Sequence, residues 1–190
     1  VILKWAQTAD GFVDKKREIP HSSAPSSDAH LNGALSISTS ATKALVHRMR
    51  AENMAIMVGT RTVLLDNPRL LNTHWEGRNP IRVTLDRHNC IPADARIFSD
   101  EIETIVYRDR TDWPFILEDL ARRNIHSILV EGGPTLLAHI LESNLWDEIH
   151  VEVAPELIIG DGVPAPAIEL PDHFETVDDH RLYTIKNGKN

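Results

Sequence analysis

Apolar and polar residues follow two different periods along this chain, and the periods predict an alternation of strands and helices. Apolar residues three and four positions apart predict helices over residues 40–53, 113–121 and 134–143. Short apolar runs between turn residues predict strands over residues 1–9, 54–58, 81–85, 103–107, 127–130, 148–154 and 182–186, the last two as a C-terminal hairpin. This order predicts a three-layer α/β domain.

One long stretch, residues 14–32, lacks either period. It is rich in charged residues, serine, histidine and proline, and a loop of this length is usually mobile or functional. Two interpretations stay open, a surface insertion and a flap over a site.

Composition narrows the class of protein. The chain has 190 residues with 20 Lys and Arg against 28 Asp and Glu, so its net charge is −8. An acidic balance argues against general binding to nucleic acid or to an anionic membrane, and no apolar run approaches the ~18 residues of a membrane span. The single cysteine, Cys90, excludes an internal disulfide, and the ten histidines form no metal-binding pair. We therefore expect a cytoplasmic protein without a metal.

The sharpest local signal is a pair of glycines between a strand and a helix. A buried strand reaches Glu131, Gly132 and Gly133 follow, and Pro134 begins a helix. Helix N-termini without obstructing side chains bind phosphate, but a tight turn that packs the helix on the sheet would look the same. Glu131 lies at the carboxyl end of its strand, where open α/β sheets place ligands.

A second strand ends in a similar way at Gly59. Hydroxyl and basic residues follow, and Arg61 is suited to the 2′-phosphate of a dinucleotide. A short helix capped by Thr60 and followed by a turn explains the same residues equally well. Lys4 and Arg50 also remain open, because a lysine in a strand and an arginine on a polar helix face are commonly just solvated.

Four ordered motifs resemble one known family. They are residues 4–11 (KWAQTADG), residues 37–40 with 46–51 (ISTS and VHRMRA), residues 58–70 (VGTRTVLLDNPRL) and residues 129–133 (LVEGG). The resemblance is to the C-terminal reductase domain of the bifunctional riboflavin-biosynthesis deaminase/reductase, and it extends from Lys4 to about Gly162.

The resemblance implies a fold and a reaction. The implied fold is dihydrofolate-reductase-like, a mostly parallel sheet flanked by helices. The implied reaction is NADPH-dependent reduction of 5-amino-6-(5-phosphoribosylamino)uracil to 5-amino-6-(5-phosphoribitylamino)uracil, in which the sugar ring opens to an imine and C1′ receives the hydride. The protein would align the nicotinamide with that carbon and hold the phosphate.

The same resemblance implies the site residues. Arg50, Leu70 and Glu131 fall at substrate positions, with Arg50 on the ribose phosphate. Lys4 and Glu131 fall at the catalytic positions, with Lys4 assisting proton movement. The implied cofactor positions are Ala6, Thr62, Asp66, Gly132, Gly133, Pro134, Thr135 and Leu136.

Three positions depart from the family pattern. Ser36 replaces a tryptophan that would stack on the cofactor, and Ala34 replaces a serine that would contact the substrate. Thr73 replaces an arginine, so part of the phosphate clamp is expected from another residue such as Arg78. These departures bear on substrate affinity more than on the class of reaction.

Residues 1–190 are expected to form one reductase domain, excised from a longer chain whose deaminase domain, with its zinc signature, is missing here. A homodimer is expected, since this fold often pairs through its C-terminal strands.

Dihydrofolate reductase itself is disfavoured, because residues 40–50 lack the carboxylate that would protonate a pterin. Another NADPH reductase of the same fold and a non-catalytic nucleotide-binding module remain as alternatives.

Overall fold

The computed structural model describes residues 1–19 and 33–188. Its helices are α1 (Ser40–Glu52), α2 (Thr60–Asp66), α3 (Trp113–Arg122) and α4 (Pro134–Ser143). Its strands are β1 (Ile2–Thr8), β2 (Phe12–Asp14), β3 (Ala55–Val58), β4 (Ile81–Leu85), β5 (Thr104–Tyr107), β6 (Ile128–Gly132), β7 (Glu148–Ala154), β8 (Val163–Pro164), β9 (Glu175–Val177) and β10 (His180–Lys186).

Eight of these strands form one sheet in the order β5-β4-β3-β6-β1-β7-β10-β9. Neighbouring strands from β5 to β7 are parallel, whereas β10 is antiparallel to β7 and β9 is antiparallel to β10. The predicted α/β class, the mostly parallel sheet and the antiparallel C-terminal hairpin are therefore confirmed. Strands β2 and β8 pair separately as a small ribbon.

The predicted elements agree with the structure to within a few residues, but several short elements were not predicted. The strands β2, β8 and β9 have two or three residues each, too few to establish a period. The proposed insertion or flap over residues 14–32 begins at the end of β2, and residues 20–32 lie outside the described part of the chain.

Alternation along the strands divides the sheet into two faces. Leu3, Trp5 and Val130 enter the main core, where they pack with apolar residues of α3 and α4. Lys4 lies between Leu3 and Trp5, and Glu131 follows Val130, so both side chains project from the opposite face. A second, smaller core on that face includes residues of β3 and α2. Polar groups on this second face form the site.

A hydroxyl at the start of α1 provides a stability test. Thr39 caps α1, since its side-chain oxygen accepts a hydrogen bond from the Thr42 amide at 3.1 Å. We expect Thr39→Ala to lower the free energy of unfolding by about 1 kcal/mol, because one helix-terminal N–H loses its partner. Thr39→Ser keeps the hydroxyl and is expected to retain most of that stability. Equal denaturant midpoints for wild type and Thr39→Ala would contradict the capping role.

Among the helices of the described chain, we find none with both the length and the apolar character required to cross a membrane.

Candidate active site

A cavity of about 1220 Å³ opens on the second face of the sheet. Its walls come from β1, the segment before α1, the helices α1 and α2, and the turn between β6 and α4. The cavity brings together all but one of the residues that the resemblance assigned to the site: Lys4, Ala6, Arg50, Thr62, Asp66, Glu131, Gly132, Gly133, Pro134, Thr135 and Leu136.

The turn between β6 and α4 forms an open wall of this cavity. Gly133 is the N-cap of α4 and has a φ of 71°. Because glycine has no side chain, the cap residue does not occupy the first N–H groups of the helix. A Cβ added to Gly133 would lie 3.5 Å from the Thr62 hydroxyl, and one added to Gly132 would lie 3.8 Å from it. The glycines thus leave a cradle beside a helix N-terminus, which suits the phosphate of a dinucleotide.

Helix α2 adds charged groups next to this cradle. Asp66 accepts a hydrogen bond of 2.6 Å from Arg17, which also pairs with Asp14. Burial opposes the charge of Arg17, but the two carboxylates outweigh it and raise the pKa of the guanidinium. Arg61 donates to the backbone carbonyl of Arg17 at 2.5 Å and lines the cavity with an exposed side chain. Arg17 is thus neutralised locally, whereas Arg61 presents its positive charge at the wall of the cavity.

Arg50 and Glu131 form a two-point ion pair at another wall. The Arg50 Nε and Nη2 atoms donate to the two Glu131 carboxylate oxygens at 2.7 and 2.5 Å, and Nη1 donates to the Leu71 carbonyl at 2.9 Å. The side chains are only 15% and 10% exposed. Burial opposes the charge of Arg50, but Glu131 raises the pKa of the guanidinium. Two of its five N–H groups remain for a ligand.

This pair changes the interpretation of both residues. The sequence resemblance assigned Arg50 to the ribose phosphate and Glu131 to the substrate as separate contacts. The structure instead makes them one unit, in which each side chain holds the other in place. The alternative of a solvated surface arginine does not describe Arg50.

Lys4 also lines the cavity and is not on a solvated face. Its ammonium lies 3.5 Å from a carboxylate oxygen of Glu152, and the lysine side chain is 13% exposed. Glu152 was not predicted as a functional residue, because a glutamate at the polar position of an alternating strand normally indicates a solvent-facing side chain. Only the position of β7 beside β1 makes that polar face an interior one.

Leu70 and Arg78 are not brought to the cavity. Leu70 is 6% exposed and packs in the smaller core with Ile56 and Ile97, so a side-chain contact with substrate is not supported. Arg78 is exposed and outside the cavity lining, and Thr73 donates its amide to His47 Nδ1 at 3.0 Å. The other basic side chains of α1 that line the cavity beside Arg50 are Lys43 and His47.

The comparisons with known proteins agree with this architecture. A family model described as the RibD C-terminal domain matches residues 1–188. The chain belongs to this family. A solved relative, the diaminohydroxyphosphoribosylaminopyrimidine deaminase/5-amino-6-(5-phosphoribosylamino)uracil reductase of Thermotoga maritima, superposes with a TM-score of 0.75 at 27% identity over 98% of this chain. The dihydrofolate-reductase-like fold is thus confirmed.

Curated RibD-family relatives are of two kinds. The 2,5-diamino-6-ribosylamino-4(3H)-pyrimidinone 5′-phosphate reductase of Archaeoglobus fulgidus is 34% identical in an alignment of 153 positions that covers 63% of this chain and 70% of the relative. Riboflavin biosynthesis protein RibD of Synechocystis is 28% identical in an alignment of 194 positions that covers 89% of this chain. The chain spans 48% of that RibD protein and 56% of the Thermotoga protein.

Proposed function

We propose that the chain is an NADPH-dependent reductase that converts 5-amino-6-(5-phosphoribosylamino)uracil to its ribitylamino product in riboflavin biosynthesis. The observation that carries the proposal is a cavity lined both by a glycine cradle at a helix N-terminus and by Lys4 with the Arg50–Glu131 pair. A dinucleotide and a phosphorylated pyrimidine require groups of these two kinds in one space. The name of the Thermotoga relative supports this reaction, and the name of the Archaeoglobus relative supports reduction of a closely related pyrimidine phosphate.

A second pyrimidine is a specific alternative substrate. The Archaeoglobus relative is named for a 2,5-diamino-pyrimidinone 5′-phosphate, which carries an amino group where the uracil compound carries an oxygen. The Glu131 carboxylate accepts hydrogen bonds from ring or amino N–H groups, so it is compatible with either compound. The relative rates of NADPH oxidation with the two pyrimidines therefore decide which compound is the substrate.

The residues of the chain have distinct tasks in this mechanism. The backbone N–H groups between Gly132 and Leu136, which Pro134 alone lacks, would hold the cofactor phosphates, and Thr62 would border them. When bound, NADPH supplies the hydride that reduces C1′ of the ring-opened sugar. Lys4 would supply the proton that the imine nitrogen needs to become an amine, and the Arg50–Glu131 pair would orient the pyrimidine and ribose phosphate.

Two further features belong to the proposal. Strand β9 forms the edge of the sheet and pairs with only residues 180–182 of β10, and this C-terminal edge supports a homodimer. Measurement of molecular mass by sedimentation equilibrium checks that expectation, since a monomer at working concentration would contradict it. A cytoplasmic location is proposed because the implied substrates are phosphorylated intermediates.

Cofactor preference provides a prediction at Arg61. We expect the protein to bind NADPH more tightly than NADH, and Arg61→Ala to weaken NADPH binding by roughly tenfold with little change for NADH. A charge-assisted contact to the 2′-phosphate contributes about 1.5–3 kcal/mol, of which part is lost to solvent screening at this exposed position. Titration of both cofactors measures the ratio. Arg122→Ala, an exposed change in α3 that breaks a pair with Glu118, is the control. Equal affinities in wild type would refute the assignment.

Loss of NADPH absorbance with each pyrimidine tests the proposed function. We expect turnover with 5-amino-6-(5-phosphoribosylamino)uracil that exceeds turnover with the 2,5-diamino compound. The reverse order would assign the chain to the second substrate. Cofactor binding without turnover of either compound would favour another NADPH reductase of the same fold or a non-catalytic nucleotide-binding module.

A further inference from the structure

A buried carboxylate lies behind the wall of the cavity. Glu152 lies in β7, its side chain is 1% exposed, and it is not among the residues that line the cavity. Lys4 and Ser38, which do line the cavity, both contact it. Glu152 can therefore affect a ligand in the cavity only through the residues that it contacts, such as Lys4 and Ser38.

The carboxylate is fully engaged by groups from separate elements. One oxygen accepts a hydrogen bond from the Ser38 hydroxyl at 2.6 Å and lies 3.5 Å from the Lys4 ammonium. The other lies 2.7 Å from Nδ1 of His180, at the start of β10. Thr42 of α1 adds a further side-chain hydrogen bond. The carboxylate thus links β1, β7, β10 and α1 at one point.

The electrostatics keep Glu152 charged. Burial by itself would raise the pKa of its carboxyl, but the Lys4 ammonium and the bonds from Ser38, Thr42 and His180 outweigh burial and hold the pKa below its ordinary value. A buried carboxylate is costly unless it is paired and hydrogen-bonded, so removing one partner has a large effect. The chain thus maintains a negative charge directly beside the lysine at the site.

The sheet register explains why the carboxylate meets this lysine. Across the parallel pair β1–β7, Ala6 lies opposite Glu152 and Lys4 lies opposite His150. Lys4 and Glu152 are therefore diagonal neighbours on the same face of the sheet, within reach of long side chains. In the β7–β10 pair, Leu182 lies opposite Glu152, and His180 lies two residues before it on that face. The contact is determined by strand order.

We propose that Glu152 is a positioning residue that holds the Lys4 ammonium at the wall of the cavity, with Ser38 and His180 fixing the carboxylate. The inference rests on the proposed function, because its effect on turnover requires that Lys4 serve the reduction. Without Glu152 the lysine side chain, which has several rotatable bonds, would have no ion-pair partner among residues 1–19 and 33–188. Its head group would then spend less time where the imine nitrogen needs a proton.

The kinetic test uses Glu152→Gln, which keeps the size and the contact with Ser38 but removes the charge. We expect kcat to fall by about tenfold or more, since small displacements of a positioned group are costly, while KM for NADPH stays within about twofold. Glu148→Gln is the matched control, because Glu148 lies in the same strand, is 35% exposed and pairs with His150 outside the site. An unchanged kcat with a lowered melting temperature would overturn the inference and leave Glu152 a structural residue.

A second measurement requires no substrate and separates the two hypotheses. Carbon-13 NMR of labelled glutamate carboxyls follows the pKa of Glu152 in wild type and in Lys4→Met. We expect the pKa to rise in Lys4→Met, because burial remains and the ammonium is gone. An unchanged pKa would overturn the pairing, and with it the inference, even in an active enzyme. A raised pKa in a chain that reduces neither pyrimidine would support the pairing and overturn the proposed function alone.

Discussion

Gly133→Val is expected to weaken NADPH binding by at least about 100-fold while the domain remains folded. Gly133 has a φ of 71°, a region that β-branched residues almost never occupy. The new side chain would also enter the cradle between the start of α4 and the Thr62 hydroxyl, which lies 3.5 Å from the Cβ position. Backbone strain and blocked approach of a phosphate therefore act together.

A second glycine separates these two effects. Gly160 has a φ of 74°, and an added Cβ there would meet nothing within 4 Å. Because Gly160 does not line the cavity, Gly160→Val introduces a similar backbone strain without filling the cradle. We expect it to lower the melting temperature and to leave NADPH affinity unchanged. Normal NADPH binding by Gly133→Val would show that the turn is a packing device only.

Arg50→Ala is expected to lower kcat/KM for the phosphorylated pyrimidine by about 100-fold, or about 2.7 kcal/mol. The change removes the two N–H groups that remain for the substrate and leaves the Glu131 carboxylate, only 10% exposed, without its counter-ion. We expect most of the loss in KM for the pyrimidine, with NADPH affinity nearly unchanged. Arg50→Lys should recover part of the loss, because lysine cannot form the two-point contact.

Two controls qualify this result. Arg48→Ala removes an exposed arginine from the same helix, where it pairs with Glu52, and is expected to retain activity. Glu131→Gln, Arg50→Ala and the double variant form a double-mutant cycle. If the two residues act as one unit, the double variant loses much less kcat/KM than the sum of the two single losses in free energy. Additive losses would indicate that the two residues contact substrate independently, as the sequence resemblance suggested. An unchanged KM in a folded Arg50→Ala protein would remove Arg50 from the site.

The two periods of the apolar residues were sufficient to predict the order of the main strands and helices. Helix α4 begins at Pro134 and ends at Ser143 as predicted, because the strand, the glycines and the proline are local signals within a few residues. The same local signals located the glycine turn between β6 and α4. The short strand β9 has only three residues and pairs through β10, so its existence depends on a partner.

Long-range pairings account for what the sequence could not predict in the site. Arg50 and Glu131 are 81 positions apart, and Lys4 and Glu152 are 148 apart on strands whose adjacency no local pattern specifies. Lys4, Arg50 and Glu152, each taken alone, fit a solvated surface. For Leu70 the resemblance predicted a contact with substrate, but its side chain packs in the smaller core instead.

Transfer of deuterium tests the central hypothesis most directly. NADPH that carries deuterium at the transferable position of nicotinamide C4 is incubated with the protein and 5-amino-6-(5-phosphoribosylamino)uracil, and the product is analysed by mass spectrometry. We expect a ribitylamino product that carries one deuterium at C1′. A product formed without the label, or oxidation of NADPH with the pyrimidine recovered unreduced, would contradict the proposed reduction.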